Sequence, residues 1–153
     1  LSLVVFIFCF RFVTVDGESM APTLHTGDHL CIQMVGFFPK EGDIVVVAPE
    51  GDEGFPIIKR IIATEGQTID IDFLTHEVWV DGELLDEPYI AEPTWRQSDV
   101  IFPLTVPEGH IFVMGDNRNI SLDSRDSNVG MLDIRRVLGE AILRISPDFE
   151  WIH

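Results

Sequence analysis

The chain has 153 residues, of which 46% are hydrophobic and 24% are charged. It is long enough and apolar enough for one domain with a core, and this composition excludes a disordered chain. Ten Lys and Arg against 26 Asp and Glu give a formal charge of −16. No nucleic-acid partner is expected, because binding to a phosphate backbone relies on clustered basic residues. We interpret the acidity as a soluble, self-repelling surface.

An apolar run opens the chain. Residues 1–10 contain a single polar side chain, and Arg11 follows them. A helix that spans a bilayer needs about 20 apolar residues, so this run is too short to cross a membrane alone. A cleavable signal peptide is the competing reading, but no basic segment precedes the run and no small-residue cleavage site follows it. We interpret residues 1–9 as the end of a membrane anchor; a buried first strand is the structural alternative.

Short alternating apolar segments separated by Gly, Pro, Asp and Asn fill the rest of the chain. Helical periodicity never continues beyond a turn or two, so the pattern predicts a mostly β fold. Asp81-Gly82 between two apolar segments predicts a two-residue β-hairpin. Residues 133–137 are predicted to form a short helix that Gly139 closes. The predicted strands cover residues 30–35, 43–48, 57–63, 68–72, 77–81, 111–114 and 139–145.

Composition changes at residues 85–103, which are polar, punctuated by proline and weakly periodic. This segment is predicted to be an excursion over the surface. We therefore expect a main β domain formed by residues 10–63 and 107–153. Residues 64–106 are predicted to form a small inserted β subdomain.

The cysteines and histidines indicate no metal chemistry. Cys9 and Cys31 lie outside any CxxC or metal-spaced cluster, and we interpret them as two buried free thiols, although the sequence leaves one disulfide open. The five histidines form neither an HExxH nor an HxH pattern. We expect no metal site and no cofactor.

Ser19 and Lys59 are the candidates for catalysis. A serine hydroxyl is a poor nucleophile until a base takes its proton, and a lysine does so only when it is uncharged. Lys59 lies among isoleucines in a predicted strand, where loss of hydration lowers the pKa of its amine. Each residue alone fits a simpler role, Ser19 as a helix cap and Lys59 as a lysine that reaches solvent. Together they predict a serine–lysine hydrolase.

Two further segments add to this site. Gly17 permits the backbone to approach a substrate or to aim N–H groups at an oxyanion, and is otherwise a turn glycine. Residues 115–125 are dense in Asp, Asn, Arg and Ser. They predict a rigid loop tied by carboxylate–guanidinium bonds, with a solvated turn as the alternative.

Four segments in this order and spacing resemble bacterial type I signal peptidases, from about Phe10 to the C-terminus. They are Ser19-Met20 with Pro22-Thr23-Leu24, Gly42-Asp43-Ile44-Val45, Lys59-Arg60 with Gly66, and residues 115–125. Many members carry a serine where this chain has Gly17, and the glycine is similar to the Gram-positive-type branch. Glu65 and Gln67 flank Gly66 where Pro and Asp are usual.

The resemblance implies a role for each matching residue. Ser19 would be the nucleophile, with its own N–H in the oxyanion hole, and Lys59 the general base. Ser121 would hold the Lys59 amine. The remaining implied roles are bracing of the loop by Asp116, Arg118, Asp123 and Arg125, and lining of the substrate pockets by Met20, Leu24 and Ile58.

The resemblance also implies a signal-peptidase-like folded β-sheet or barrel and a membrane-bound serine endopeptidase. Its substrates would be signal-peptide-bearing preproteins. Its partner would be the lipid bilayer of the cell membrane. The protein would cross this membrane once and carry its catalytic domain on the extracytoplasmic side. Two alternatives stay open. A self-cleaving repressor-type protease shares the Ser and Lys motifs but is not expected to carry residues 115–125, and a membrane-tethered binding module would carry an inactive Ser and Lys.

Overall fold

A computed structural model describes residues 9–50 and 54–152 of the chain, and these contain twelve β-strands and a short 3₁₀ helix at Ile134–Arg136. The prediction of a mostly β fold is confirmed. The strands are β1 Phe10–Thr14, β2 His29–Gln33, β3 Ile44–Val47, β4 Ile57–Thr64, β5 Thr68–Asp72, β6 Glu77–Val80, β7 Glu83–Leu84, β8 Leu104–Thr105, β9 His110–Met114, β10 Leu132–Asp133, β11 Val137–Ser146 and β12 Glu150–Trp151.

Eight strands form one antiparallel sheet in the order β1-β2-β11-β3-β4-β9-β10, with β12 beside β11. β4 lies between β3 and β9, so its residues pair on both sides. Lys59 lies opposite Val45 of β3, and Arg60 lies opposite Met114 of β9. The polar loop of residues 115–125 begins directly after Met114, and this register brings it next to the Lys59-Arg60 pair.

A second sheet has four strands in the order β7-β6-β5-β8. Asp81 and Gly82 connect β6 to β7 with φ angles of 51° and 80°, so the predicted two-residue hairpin is confirmed. Both residues take the left-handed conformation that such a turn requires. The division of the chain into a main domain and an inserted subdomain at residues 64–106 stays a prediction.

Among the described residues, three buried apolar clusters form the core. One joins the small sheet to the large one, with Ile62 and Phe112 packed against Ile69. A second contains Met20 and Leu24, which immediately follow Ser19 in sequence. The third lies around β3, β4 and β9. A fully buried Met or Leu contributes about 1.5–3 kcal/mol, so the segment after Ser19 is anchored in the core.

The predicted end of the short helix is wrong. The 3₁₀ helix is capped by the Asp133 side chain and passes at Val137 directly into β11, so Gly139 lies inside a strand. A Cβ atom on Gly139 would lie 2.8 Å from the carbonyl oxygen of Gln33 in β2. Glycine is therefore needed at this position because two strands approach closely, and not because a helix ends there.

The two thiols are free, as predicted, and Cys31 is buried in β2 while Cys9 is half-buried. The predicted membrane anchor at residues 1–9 lies, apart from Cys9, outside the described residues. Within residues 9–50 and 54–152, the structure contains no helix that is long and apolar enough to span a bilayer.

Substitution of Gly139 by Ala is expected to lower the free energy of unfolding by about 1–3 kcal/mol, the usual cost of overpacking. The new Cβ would meet backbone atoms of Gln33, which cannot move without disturbing the pairing of β2 with β11. Urea denaturation measures the effect. Leu138→Ala is the control. Leu138 precedes Gly139 in the strand and is 40% exposed, so truncating its side chain should lower the free energy of unfolding by less. An equal or smaller loss for Gly139→Ala would contradict this account of the close approach.

Candidate active site

Ser19 lies in a turn that follows β1. The backbone on either side is fixed by hydrogen bonds from Val15 N–H to Asp28 O (2.9 Å) and from Leu24 N–H to Met20 O (2.9 Å). The second bond closes a turn of five residues. Because Met20 and Leu24 are both 1% exposed, the turn holds the Ser19 hydroxyl in a defined position.

The structure brings Ser19 and Lys59 together across forty residues of sequence. Lys59 Nζ lies 2.7 Å from Ser19 Oγ and 3.1 Å from the carbonyl oxygen of Ile58. Lys59 is 4% exposed. Burial lowers the pKa of its amine, and the carboxylates of Asp123 and Asp116 oppose this shift. The site therefore holds an amine with a reduced affinity for its proton, at hydrogen-bond distance from an alcohol.

Gly115 lies where Ser19 and Ser121 meet. A Cβ on Gly115 would lie 2.4 Å from both Ser121 Oγ and Ser19 O. The Asn117 N–H also donates to Ser19 O at 3.0 Å. Ser121 Oγ is buried beside the pair, and among the described residues it has no hydrogen-bond partner. The expected bond from Ser121 to the Lys59 amine is thus not formed in this structure.

The loop of residues 115–125 is held by buried ion pairs. Arg60 donates to both oxygens of Asp116, Nε to Oδ1 at 2.8 Å and Nη2 to Oδ2 at 2.7 Å. Thr23 Oγ1 donates to Asp116 Oδ2 at 2.5 Å. Asp116 thereby ties β4 and the turn after Ser19 to the loop.

A second pair closes the other end of this loop. Arg125 Nε and Nη2 donate to the two oxygens of Asp123 at 2.8 and 2.9 Å. Asp123 Oδ2 also accepts from the Gly115 N–H at 3.0 Å, and Arg118 Nε donates to the Gly115 carbonyl at 2.9 Å. All four charged side chains predicted for the loop are buried. Planar guanidinium–carboxylate forks suit such a rigid arrangement.

A cleft of about 460 Å³ opens beside Ser19 and Lys59. Of the three residues for which the resemblance implies a place in the substrate pockets, Met20 and Ile58 line this cleft and Leu24 does not. Leu24 packs in the core cluster with Leu30 and Ile44, because the turn after Ser19 directs it inward. The side chains that line the cleft are mostly apolar, including Val13, Ile32, Met34, Val46, Ile57 and Leu138.

Gly17 also borders the cleft, with a φ of 100° that side chains rarely adopt. A Cβ placed there would meet no atom within 4 Å, so conformation and not space favours glycine. Its N–H donates to Thr26 Oγ1 at 3.0 Å. The amide of Gly17 is therefore already used by the protein.

No individual role follows from the sequence for three residues at the site: Arg60, which is noted only as part of the Lys59-Arg60 segment, Tyr89 and Glu87. Arg60 is 2% exposed, and its place between Ile58 and Ile62 in a strand could have indicated a buried, paired cation. Tyr89 and Glu87 belong to the segment that was interpreted as a surface excursion. No periodic pattern marks them, because a loop that packs against the protein has no characteristic spacing.

The described part of the chain contains no candidate metal centre. No group of three or more His, Cys, Asp and Glu side chains is placed there to hold an ion.

The fold is that of a known class of hydrolase. Residues 1–146 match the family described as signal peptidase, peptidase S26. The chain belongs to this family, whose members are serine endopeptidases.

Individual relatives agree with this assignment. The probable signal peptidase I-1 of Synechocystis is 38% identical over 148 residues, which cover 90% of this chain and 71% of the relative. Signal peptidase I S of Bacillus subtilis is 35% identical over 151 residues, covering 91% and 78%. The crystal structure of a signal peptidase I from Enterococcus faecalis is similar with a TM-score of 0.54 and 28% identity, over 68% of this chain and 97% of that one. The signal-peptidase fold predicted from the sequence is thereby confirmed.

Arg60→Met is expected to lower the free energy of unfolding by about 3–5 kcal/mol, because it leaves the buried Asp116 carboxylate without its cation. The double variant Arg60→Met/Asp116→Leu should recover most of this loss in urea denaturation. Arg135→Met, which breaks the exposed pair with Asp133, is the control and should change stability little. A double variant no more stable than Arg60→Met would contradict the assigned pairing.

Proposed function

We propose that the protein is a membrane-bound endopeptidase that removes signal peptides from exported preproteins, with Ser19 as nucleophile and Lys59 as general base. Membership of the signal peptidase family supports the substrate class. The observation that carries the residue roles is the distance of 2.7 Å between Lys59 Nζ and Ser19 Oγ. Burial of the amine supports them further, because only its neutral form can accept a proton.

In the proposed reaction the neutral Lys59 amine takes the hydroxyl proton as Ser19 Oγ attacks the scissile carbonyl. The ammonium then gives this proton to the departing amine, the peptide C–N bond breaks, and an acyl-enzyme ester remains on Ser19. Water attacks the ester after giving a proton to the neutral amine. That proton returns to Ser19 Oγ as the carboxylic product leaves, so the enzyme is regenerated.

The Ser19 N–H is the proposed donor to the oxyanion. The Gly17 N–H is engaged with Thr26, so we do not assign it the second position. The space beside Gly17 suits a water molecule or a substrate group there. One oxyanion donor is typically worth about 100- to 1000-fold in rate.

Specificity is proposed to come from the apolar wall of the cleft. Met20 and Ile58 border Ser19 and Lys59 there, and a pocket of this kind accepts small apolar side chains before the cleaved bond. Such a pocket discriminates by size, and each methylene is worth only about 1–3 kcal/mol. The enzyme should thus recognise a class of short side chains rather than one sequence.

The membrane-bound part of the proposal is supported by exposed aromatic side chains at the cleft. Phe12 is 64% exposed and Phe55 is 89% exposed, and both line the cleft. Large exposed apolar groups at a binding cleft suit a lipid surface or an apolar signal peptide. A single N-terminal anchor with the catalytic part on the extracytoplasmic side remains our expectation. Holding enzyme and substrate in one plane would raise their effective concentration.

Ser19→Ala and Lys59→Ala are each expected to lower kcat on a fluorogenic signal-peptide substrate by at least about 100-fold, because each removes a group that takes part in the proton transfer. Both variants should keep the wild-type fold, which circular dichroism measures. Lys40→Ala, which removes an exposed lysine, is the matched control and should retain full activity. Wild-type turnover by Ser19→Ala would contradict the proposed nucleophile and would indicate that another residue carries the reaction, whereas no turnover by the wild type would favour an inactive binding module.

The pH dependence should report the lowered pKa of Lys59. kcat/KM is expected to rise with pH as the amine becomes neutral, with a midpoint below the ordinary lysine value of about 10.4. The folded state binds fewer protons than the unfolded state between the lowered pKa and that value. Its stability therefore increases with pH across this window.

Lys59→Met should remove this contribution, so its advantage in stability over the wild type is expected to shrink as the pH rises. Denaturation at several pH values measures the difference. A stability difference that does not change with pH would contradict the lowered pKa.

A further inference from the structure

Residues 85–103 pack against Arg60 and Arg118, two of the arginines that bind the active-site loop. Thr94 in this segment is fully buried, and Glu87 has a side chain that is only 8% exposed. Glu87 Oε1 lies 2.6 Å from Arg118 Nη1. Thr94 Oγ1 accepts from the same nitrogen at 3.2 Å. The segment is thus packed against the active-site loop through Arg118.

Tyr89 occupies the centre of this contact. The guanidinium carbon of Arg60 lies 3.9 Å from the centroid of the Tyr89 ring, and that of Arg118 lies 5.9 Å from it. A guanidinium at such a distance from a ring is attracted by the electron-rich face. Burial raises the pKa of Tyr89 to about 12, so the ring is a neutral phenol at working pH.

Arg60 is thereby held from two sides. Its Nε and Nη2 donate to the two oxygens of Asp116, and its Nη1 donates to Gly42 O at 2.7 Å. The guanidinium carbon lies over the face of the Tyr89 ring. A planar fork forms two parallel bonds only when it is correctly placed, and a ring in contact with the guanidinium limits how far it can move.

The charge of Asp116 acts on Lys59. Asp116 and Asp123 both oppose the lowering of the Lys59 pKa, and each is paired with an arginine, Arg60 or Arg125. The neighbouring strand β3 brings only apolar side chains to this region. In the Ser19 turn, the Glu18 carboxylate is engaged with His25 and Thr26. The pairing of Asp116 therefore influences how strongly the amine holds its proton.

We propose that Tyr89 is a positioning residue for the reaction: its ring keeps the Arg60 guanidinium in its fork on Asp116, and the neutralised carboxylate leaves the Lys59 amine free to act as a base. This inference rests on the proposed role of Lys59. It assigns a function to a segment that contains neither the nucleophile nor the base.

The test is the pH profile of kcat/KM for Tyr89→Leu and Tyr89→Phe on a fluorogenic signal-peptide substrate. Tyr89→Leu removes the ring, so Asp116 should act more strongly on Lys59 and move the ascending limb to higher pH. At neutral pH kcat/KM should fall about tenfold for each unit of displacement, with recovery at alkaline pH. Tyr89→Phe keeps the ring and should follow the wild-type profile.

Trp95→Ala is the matched control, because Trp95 is an aromatic residue of the same segment whose side chain is 55% exposed. It should leave the ascending limb unchanged. The proposal is overturned if Tyr89→Leu keeps the wild-type limb, if it loses activity equally at every pH, or if Tyr89→Phe or Trp95→Ala shifts as far as Tyr89→Leu does.

Tyr89→Met provides the same comparison if Tyr89→Leu does not fold, since Met fills irregular space well. If neither variant folds, Tyr89 serves folding and not positioning, and the proposal fails. Ser19→Ala assayed in parallel separates the two hypotheses. Its full activity would refute the proposed function, whereas an inactive Ser19→Ala with an unshifted Tyr89→Leu would refute only the role of Tyr89.

Discussion

The buried Lys59 amine sets the requirements for the rest of the active site. A charged amine out of water is costly, and at 4% exposure this one lies 2.7 Å from the Ser19 hydroxyl. Two carboxylates of the neighbouring loop would nevertheless favour its charged form. Each of them is bound by an arginine fork, which reduces this influence. The proposed base thus depends on a balance between burial, which releases its proton, and carboxylates, which retain it.

The same ion pairs give the site its rigidity. Asp116 joins Arg60 of β4 and Thr23 of the turn after Ser19, so one carboxylate connects the strand of the proposed base to the turn of the proposed nucleophile. Gly115 then permits the loop to approach Ser19 O closely. Breaking a buried pair is expensive because the partner is left charged and unpaired. Geometry and electrostatics at this site therefore rest on the same few side chains.

Sequence reasoning succeeded where a residue type requires a local conformation or where a pattern repeats along the chain. The strands and the Asp81-Gly82 hairpin are of this kind. It failed for Gly139, because the close approach to Gln33 joins strands far apart in sequence. Leu24 was placed in the cleft by analogy, whereas the turn directs it into the core. The side-chain bond expected from Ser121 is absent from this structure, where that hydroxyl has no partner among the described residues.

By itself the sequence determined the fold class, the family and the two side chains that we propose for the chemistry, since these follow from alternation, turn residues and spaced motifs. Only the tertiary structure decided that Arg60 neutralises Asp116, that Tyr89 lies over Arg60 and that residues 85–103 pack beneath the site. These contacts join segments that are 24 to 56 residues apart and show no periodicity. The register of β4 with β9 and the packing of the loop decide which residues meet. Neither can be predicted from a local sequence pattern.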